Sequence, residues 1–485
     1  MQMPPTFLFN RRRWLAATVP PAVWLATGCA QRSATAAVRE YTLVAAPVAV
    51  PVRGAAQPPV AAWGYAGGVP GPLIRARQGE RLRVVVENRL PQETTVHWHG
   101  LRVPNAMDGV PHLTQPPIPP GGRFTYEFEL PDAGTYWYHS HLRSSEQMER
   151  GLYGALVVDE AQPPPVDRDL TWVLDDWRLG EGGQVSESFG SRHDIAHAGR
   201  IGNAITLNGR PPQDLLLRPG ERVRLRLVNA ANARIFSLGF DGPAPWVVAL
   251  DGQPVAPHAP PGGRVRLAPG MRCDLVLDAG QQAGQRHAVF DDFYPRGAFD
   301  LLQRVVEGQP LRAQPLTPPA ALPGNPLAEP DLGAAQTHEV VFQGGMMGSL
   351  HRALLDGQPL PMMGLLRQGK AWAVNGVVSG GHGEGGAHGR HEAPIVTLRR
   401  GRSYVLALHN DTRWHHPIHL HGHSFRVLRR NGRETAHREW RDTVLLDPGE
   451  RADIAFVADN PGDWMLHCHV LEHQEGGMMG VFRVA

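Results

Sequence analysis

Cysteine is almost absent from this chain, with three residues in 485. Three thiols cannot build the disulfide framework that holds small secreted folds together, so stability must come from packed cores. Helical periodicity is scarce, and the apolar runs are short. Neither sign of charge dominates. Lys and Arg number 48 against 46 Asp and Glu, a formal net charge of +2, which is too little to argue for nucleic acid or an anionic membrane as a partner. Gly (55) and Pro (45) are plentiful. The apolar runs often alternate with polar residues and end at turn formers, as in RLRVVVEN from Arg81, FTYEFELP from Phe124 and RVRLRLVN from Arg222. Such runs predict strands, and many of them at regular spacing predict an all-β chain of sandwiches or barrels. At about 100–200 residues per domain, the length calls for roughly three domains.

The N-terminus stands apart from this pattern. Arg11-Arg12-Arg13-Trp14-Leu15 precedes an apolar stretch through Ala26, and together they resemble a twin-arginine export signal. The stretch is too short and too rich in Pro for a membrane span of about 20 residues. Leu25-Ala26-Thr27-Gly28-Cys29 is similar to a lipobox, with Ala26 where Leu is usual. Lipidation at Cys29 and a plain cut after Ala34-Thr35-Ala36 both remain open. Residues 1–37 are expected to be a leader, and the mature chain to work in the periplasm or cell envelope, touching membrane only through a lipid at Cys29.

The remainder repeats itself three times. Gly79, Gly220 and Gly401 each open a strand-like run that reaches an Asn nine residues later, at Asn88, Asn229 and Asn410. Counting on from each Gly gives His97 and His99 in the first copy and His419 and His421 in the third, but Leu238 and Phe240 in the second. Further on, Gly134 precedes His139-Ser140-His141 and Gly462 precedes His467-Cys468-His469, each by five residues. Three related β-domains are therefore expected at 38–160, 165–312 and 336–485. The outer two carry paired histidines, and the middle one carries none. Cys273, in the run MRCDLVLD, reads as a buried free thiol.

On a strand, residues i and i+2 share a face. Each His-X-His pair thus offers two imidazoles to one side, and eight can converge if the outer domains face each other. Imidazole suits late first-row ions. Cys468 points away from its two neighbours, toward His416, His473 and Met478. Two His, one Cys and a weak axial Met form the donor set of a blue electron-transfer copper. Ser140 holds the matching place in the first copy, so only the third domain has such an electron-entry site.

His97-Trp98-His99-Gly100, His139-Ser140-His141, His416-Pro417-Ile418-His419-Leu420-His421 and His467-Cys468-His469 with His473 and Met478 together resemble the four motifs of three-domain multicopper oxidases. The resemblance implies three tandem cupredoxin-like Greek-key β-sandwich domains and four copper ions per chain. It implies a type 2 copper on His97 and His419. A type 3 pair would lie on His99, His139, His141, His421, His467 and His469, and a type 1 copper on His416, Cys468 and His473 with Met478 axial. The implied reaction couples four one-electron oxidations of substrate to reduction of dioxygen to two waters. Cys468 would carry the electrons. Asp108, in AMDGVP, matches the acidic residue that supplies protons near the cluster. Where many bacterial relatives carry a second acid after the last type 1 histidine, this chain has Gln474, followed by Glu475.

The reductant is less legible. Glu439-Trp440-Arg441-Asp442-Thr443 resembles the segment over the type 1 copper of copper-efflux oxidases, which would let Asp442 bind a cuprous ion or a phenol. Met346-Met347 and Met362-Met363 lie among Gly and Pro rather than among core aliphatics, as thioether pairs able to catch Cu(I). Cuprous oxidation in copper tolerance is therefore the first expectation and laccase-like oxidation of phenols the second. His382, His388 and His391 fall in a flexible-looking loop. His112, His415 and His423 are spare by motif, and His193 and His197 are expected in solvent. A copper-free scaffold and a copper store are the non-enzymatic alternatives, and the chain is taken as a monomer.

Overall fold

The computed structural model describes residues 38–380 and 393–485. The export-signal segment, Cys29 and the loop histidines His382, His388 and His391 lie outside the described residues. No helix among the described residues is long and apolar enough to cross a membrane.

The strands form three successive pairs of sheets, and in every hydrogen-bonded pair both strands come from the same third of the chain. Each third repeats one topology. Its opening strand runs parallel to the strand that the repeat predicted: Val38–Val50 beside Arg81–Asn88, Arg168–Trp177 beside Arg222–Asn229, and Gln336–Gly344 beside Ser403–Asp411. The second sheet of each third also begins with a parallel pair: Ile74–Arg77 with Tyr153–Asp159, Leu215–Leu217 with Phe299–Val306, and Val396–Leu398 with Met479–Val484. These are three β-sandwiches of cupredoxin type.

The recurring asparagine has one job in all three. Asn88, Asn229 and Asn410 are buried. Each accepts the backbone N–H two residues on, at Leu90, Ala231 and Thr412, at 2.9, 3.0 and 3.1 Å. Each donates to a carbonyl across the sandwich, at Ile118, Leu267 and Leu446. The side chain thus closes the turn and satisfies buried backbone groups that no strand can reach.

Burial patterns separate the middle sandwich from the outer ones. Arg81–Asn88 alternates buried and partly exposed residues, as a half-solvated strand should. Arg222–Asn229 is buried at all eight positions, although RVRLRLVN looks just as amphipathic. Its arginines are covered and neutralised, Arg222 by Asp278, Arg224 by Glu160 and Asp274, and Arg226 by Asp169 and Asp274. Arg226 also donates to Thr135 of the first sandwich at 2.9 Å. The polar face of the middle sheet is therefore an interface between domains.

Register places the histidines. His97 pairs with His139 across neighbouring strands, and His419 pairs with His467 in the matching strands of the third sandwich. The equivalent pair in the middle sandwich is Leu238 with Asp291.

Candidate metal centres

Eight imidazoles from the first and third sandwiches converge. His99, His139 and His469 bring ring nitrogens within 4.8 Å of one another, as do His141, His421 and His467, and as do His97, His99 and His419. All of these rings are buried. Burial, reinforced by the neighbouring imidazoles, pushes the pKa values of His99, His139, His421, His467 and His469 well down. The rings are therefore neutral at ordinary pH, which is the form that binds metal.

Hydrogen bonds select which nitrogen each ring presents. His97, His139, His419 and His467 donate Nδ1–H to the carbonyls of Asp108, Ser140, Asp442 and Cys468 at 2.7–2.9 Å. Nε2 of His97, His139 and His419 is left buried without a partner. His421 donates Nδ1–H to Asp108 Oδ2 at 2.9 Å, so its unprotonated Nε2 faces the unprotonated Nε2 of His467 at 3.1 Å. Lone pairs aimed at each other across such a gap repel unless a cation lies between them. His469 has both ring nitrogens buried and unpartnered.

Asp108 follows the short helix Asn105–Met107 and is fully buried. Its carbonyl holds His97, one carboxylate oxygen holds His421, and the other lies 3.3 Å from His97 Nδ1. Gly109 makes this approach possible. At φ +83° a Cβ there would sit 1.8 Å from the Val96 carbonyl oxygen.

The middle sandwich also reaches the cluster. Arg272, wholly buried, grips Asp442 with two hydrogen bonds of 2.7 and 2.5 Å, and donates to the Thr135 carbonyl at 3.2 Å. Burial alone would raise the Asp442 pKa, but Arg272 overcomes it and holds the group well below the usual carboxylate range. Asp442 Oδ1 accepts from His99 Nε2 at 3.2 Å, leaving His99 Nδ1 as the orphan. This overturns the expectation that Asp442 meets a reductant, because the residue is 1% exposed and engaged on both oxygens. Sequence reasoning missed Arg272. The signal was an arginine inside MRCDLVLD, a run too apolar to leave a charge without a dedicated acid.

The second centre lies in the core of the third sandwich, among Trp372, Leu466 and Met478. Cys468 Sγ lies 3.4 Å from His416 Nδ1 and 3.7 Å from His473 Nδ1, and the two nitrogens are 3.1 Å apart. Here the tautomers are reversed. His473 Nε2–H donates to the His197 carbonyl at 2.6 Å. Thr412 gives its hydroxyl proton to Asn410, so it accepts from His416 Nε2–H at 2.9 Å. Both rings therefore turn Nδ1 toward the sulfur. Burial pushes the Cys468 thiol up and His473 down to about 3. Met478 is buried in the same core, and its carbonyl accepts the Cys468 N–H at 3.1 Å.

Outside this centre, Met346 and Met363, one from each pair, line a cavity of about 270 Å³ with Arg192, His193, His197 and Arg367. Met347 and Met362 do not line it. His197 is not simply solvated as expected. It is half-buried, and its carbonyl holds a ring of the thiolate centre. His193 is exposed and stacks on His197. His423 is buried behind the cluster and bonds the His421 carbonyl at 3.2 Å, while His415 lies 3.5 Å from Asp447 and His112 is exposed. Cys273 is a buried free thiol. Gln474 is buried, and Glu475 accepts from the Ser145 backbone and hydroxyl at 2.9 and 2.6 Å.

The donor sets fit copper. Neutral, pre-oriented imidazoles and one His₂Cys site with a neighbouring Met are what that ion favours, and the orphaned nitrogens are the places a cation would satisfy. The comparisons agree. Models of multicopper oxidase domains match residues 49–163, 168–307 and 363–485. The multicopper oxidase MmcO of Mycobacterium tuberculosis is 31% identical over 460 residues, covering 87% of this chain and 82% of its own. A copper resistance protein A homolog of Pseudomonas syringae pv. tomato is 26% identical, covering 86% and 88%. The crystal structure of a multi-copper oxidase from Pseudomonas thermotolerans superposes with a TM-score of 0.80 at 37% identity, covering 93% of this chain and all of its own. The chain belongs to the multicopper oxidase family and is a copper-dependent oxidoreductase.

Proposed function

We propose that this protein oxidises a small reductant one electron at a time at the Cys468 centre and reduces dioxygen to water at the histidine cluster, using four copper ions per chain. The domains run over 38–160, 165–312 and 336–485. His416, Cys468 and His473, with Met478 as a weaker donor, would hold the type 1 copper. His99, His139 and His469 hold one type 3 ion, His141, His421 and His467 the other, and His97 with His419 the type 2 ion. The observation that carries this reading is the opposed tautomers. Rings at the Cys468 centre present Nδ1, while those hydrogen-bonded to carbonyls in the cluster present Nε2.

When bound, copper supplies the redox chemistry, taking electrons singly and delivering four to one dioxygen. The chain does the rest. Cys468 sits one peptide bond from His467 and from His469, so the two centres are joined covalently. Asp108 orients His97 and His421 and is placed to pass protons to the oxygen that is being reduced. Gln474 cannot act as a second acid, so Asp108 carries that role alone in this reading. Burial of every ring in the cluster excludes bulk water.

The reductant reaches the Cys468 centre through the cavity over His197. Its cationic walls favour an organic reductant. Cuprous ion is the second reading, supported by the thioethers of Met346 and Met363 and by the name of the copper resistance relative. The export-signal resemblance supports work outside the cytoplasm, and a lipid, if the leader is cut before Cys29, would attach there. Metal analysis together with an oxygen electrode tests the whole reading. About four coppers per chain with reductant-driven oxygen uptake is expected. Copper without oxygen uptake would make the protein a store, and no copper would make it a scaffold. Comparing Cu(I), Fe(II), Mn(II) and a phenol then ranks the reductants.

A further inference from the structure

The cavity over the Cys468 centre has a charge pattern that no ligand-binding or redox role of the copper sites requires. Arg192 and Arg367 both line it from separate elements, one at the start of the helix Arg192–Ala196 and the other at the end of the helix Met362–Arg367. Both are exposed, and neither forms an ion pair among the described residues. His193 and His197 add two stacked imidazoles, with ring centroids 4.3 Å apart. Among the described residues, no carboxylate lines the cavity. The nearest acid in the chain, Asp194, is turned away onto Arg178 by bonds of 2.5 and 3.1 Å, with His193 Nδ1 at 3.7 Å. The remaining surface is apolar, with the polarisable Met346 and Met363 beside Ala196 and Leu366.

Resting on the oxidase reading above, we infer that this cavity binds a phenolic carboxylate, with the aromatic ring on the two methionines and the carboxylate between Arg192 and Arg367. Thioethers make favourable contacts with aromatic rings, and a guanidinium meets a carboxylate with paired, charge-assisted hydrogen bonds. The volume of about 270 Å³ suits a single substituted ring. Unneutralised cations on both walls raise the local concentration of anions and lower that of metal cations. The place is also right for electron delivery. The His197 carbonyl in the wall is 2.6 Å from His473 Nε2, and the walls are tied together by Met346 N–H donating to the Ala196 carbonyl at 2.8 Å. Each phenol gives one electron to the protein and its hydroxyl proton to water, becoming a phenoxyl radical. Four such events supply the electrons, and four protons the hydrogens, that turn one dioxygen into two waters.

The test uses the copper-loaded protein with 4-hydroxy-3-methoxybenzoate and its neutral methyl ester as reductants, and calorimetric binding of the redox-inert 4-methoxybenzoate. The acid is expected to show the lower KM. In Arg192→Gln/Arg367→Gln its KM should rise about fivefold or more, the scale of two exposed charge pairs, while the ester's KM rises much less, so that the preference for the acid is lost. Binding of 4-methoxybenzoate should weaken by the same factor and fall with added salt. Equal KM values for acid and ester, or a double variant that shifts both alike, would overturn the inference. Oxygen uptake absent with every reductant, while 4-methoxybenzoate still binds through the two arginines, would instead overturn the oxidase reading and leave the anion site standing.

Discussion

Cys468 differs from its first-domain counterpart Ser140 by one atom type, and in the proposed reading that difference decides where electrons enter. Cys468→Ser is expected to abolish the blue charge-transfer band and reductant-driven oxygen uptake while leaving about three coppers on the imidazoles. A variant that stays blue would sink the assignment. Asp108→Asn keeps the shape of the carboxylate but not its proton chemistry. It should lower kcat by about 10²–10⁴-fold, the usual contribution of a positioned acid or base. Anaerobic bleaching of the blue band by reductant should keep its rate, because Asp108 touches only the cluster. The buried imidazoles also set a pH limit on the metal-free protein. His473, at about 3 in the fold, stays neutral while the unfolded chain takes up its proton near pH 6.5. The unfolded state then binds more protons, so this contribution to stability is present above about pH 6.5 and is lost as pH falls toward 3. Each such ring costs up to about 1.4 kcal/mol per pH unit over that window. Urea midpoints of the metal-free protein should drop steeply as pH falls from about 6.5 to 5, and copper loading should flatten the drop.

At the scale of elements, the histidine motifs were legible because the strand period fixes which side chains share a face. The alternation that separates Cys468 from His467 and His469 needs no tertiary information. The loops were not legible. Gly270 leads into Arg272, adopts φ +85°, and a Cβ on it would sit 2.8 Å from His469 Cδ2 and 3.0 Å from His99 Cε1. Gly270→Ala should therefore cost about 1–3 kcal/mol and reduce copper occupancy at His99, His139 and His469. Denaturant melts and metal analysis would show both effects. Nothing in the local sequence marks this glycine, because its constraint comes from rings more than a hundred residues away in either direction. The same applies to the helix Arg192–Ala196. Its histidines read as solvated because the spacing of a short polar segment cannot reveal that the third sandwich packs beside it.

For the whole molecule, the middle sandwich contributes no ligand to the candidate metal centres among the described residues, yet it links the two sandwiches that do. Arg272 joins the Thr135 carbonyl of the first sandwich to Asp442 of the third. Arg272→Met should leave the Asp442 charge buried and unpaired, destabilising the fold by about 3–5 kcal/mol. Adding Asp442→Asn should recover part of that loss. If the two substitutions were simply additive, the ion pair would have no coupling role.

The sequence by itself determined the threefold β repeat, the eight imidazoles and the separation of the thiol from them, since all of these follow from short-range spacing on alternating strands. It pointed to Asp108, whose carboxylate accepts from His421, only through family resemblance. Only the tertiary structure decided that Asp442 is locked onto Arg272 rather than open to a reductant, that RVRLRLVN is buried on both faces, and that one methionine of each pair meets two arginines over His197. Those outcomes depend on which surfaces the three sandwiches press together, and burial and charge pairing between distant segments leave no period in the chain to read.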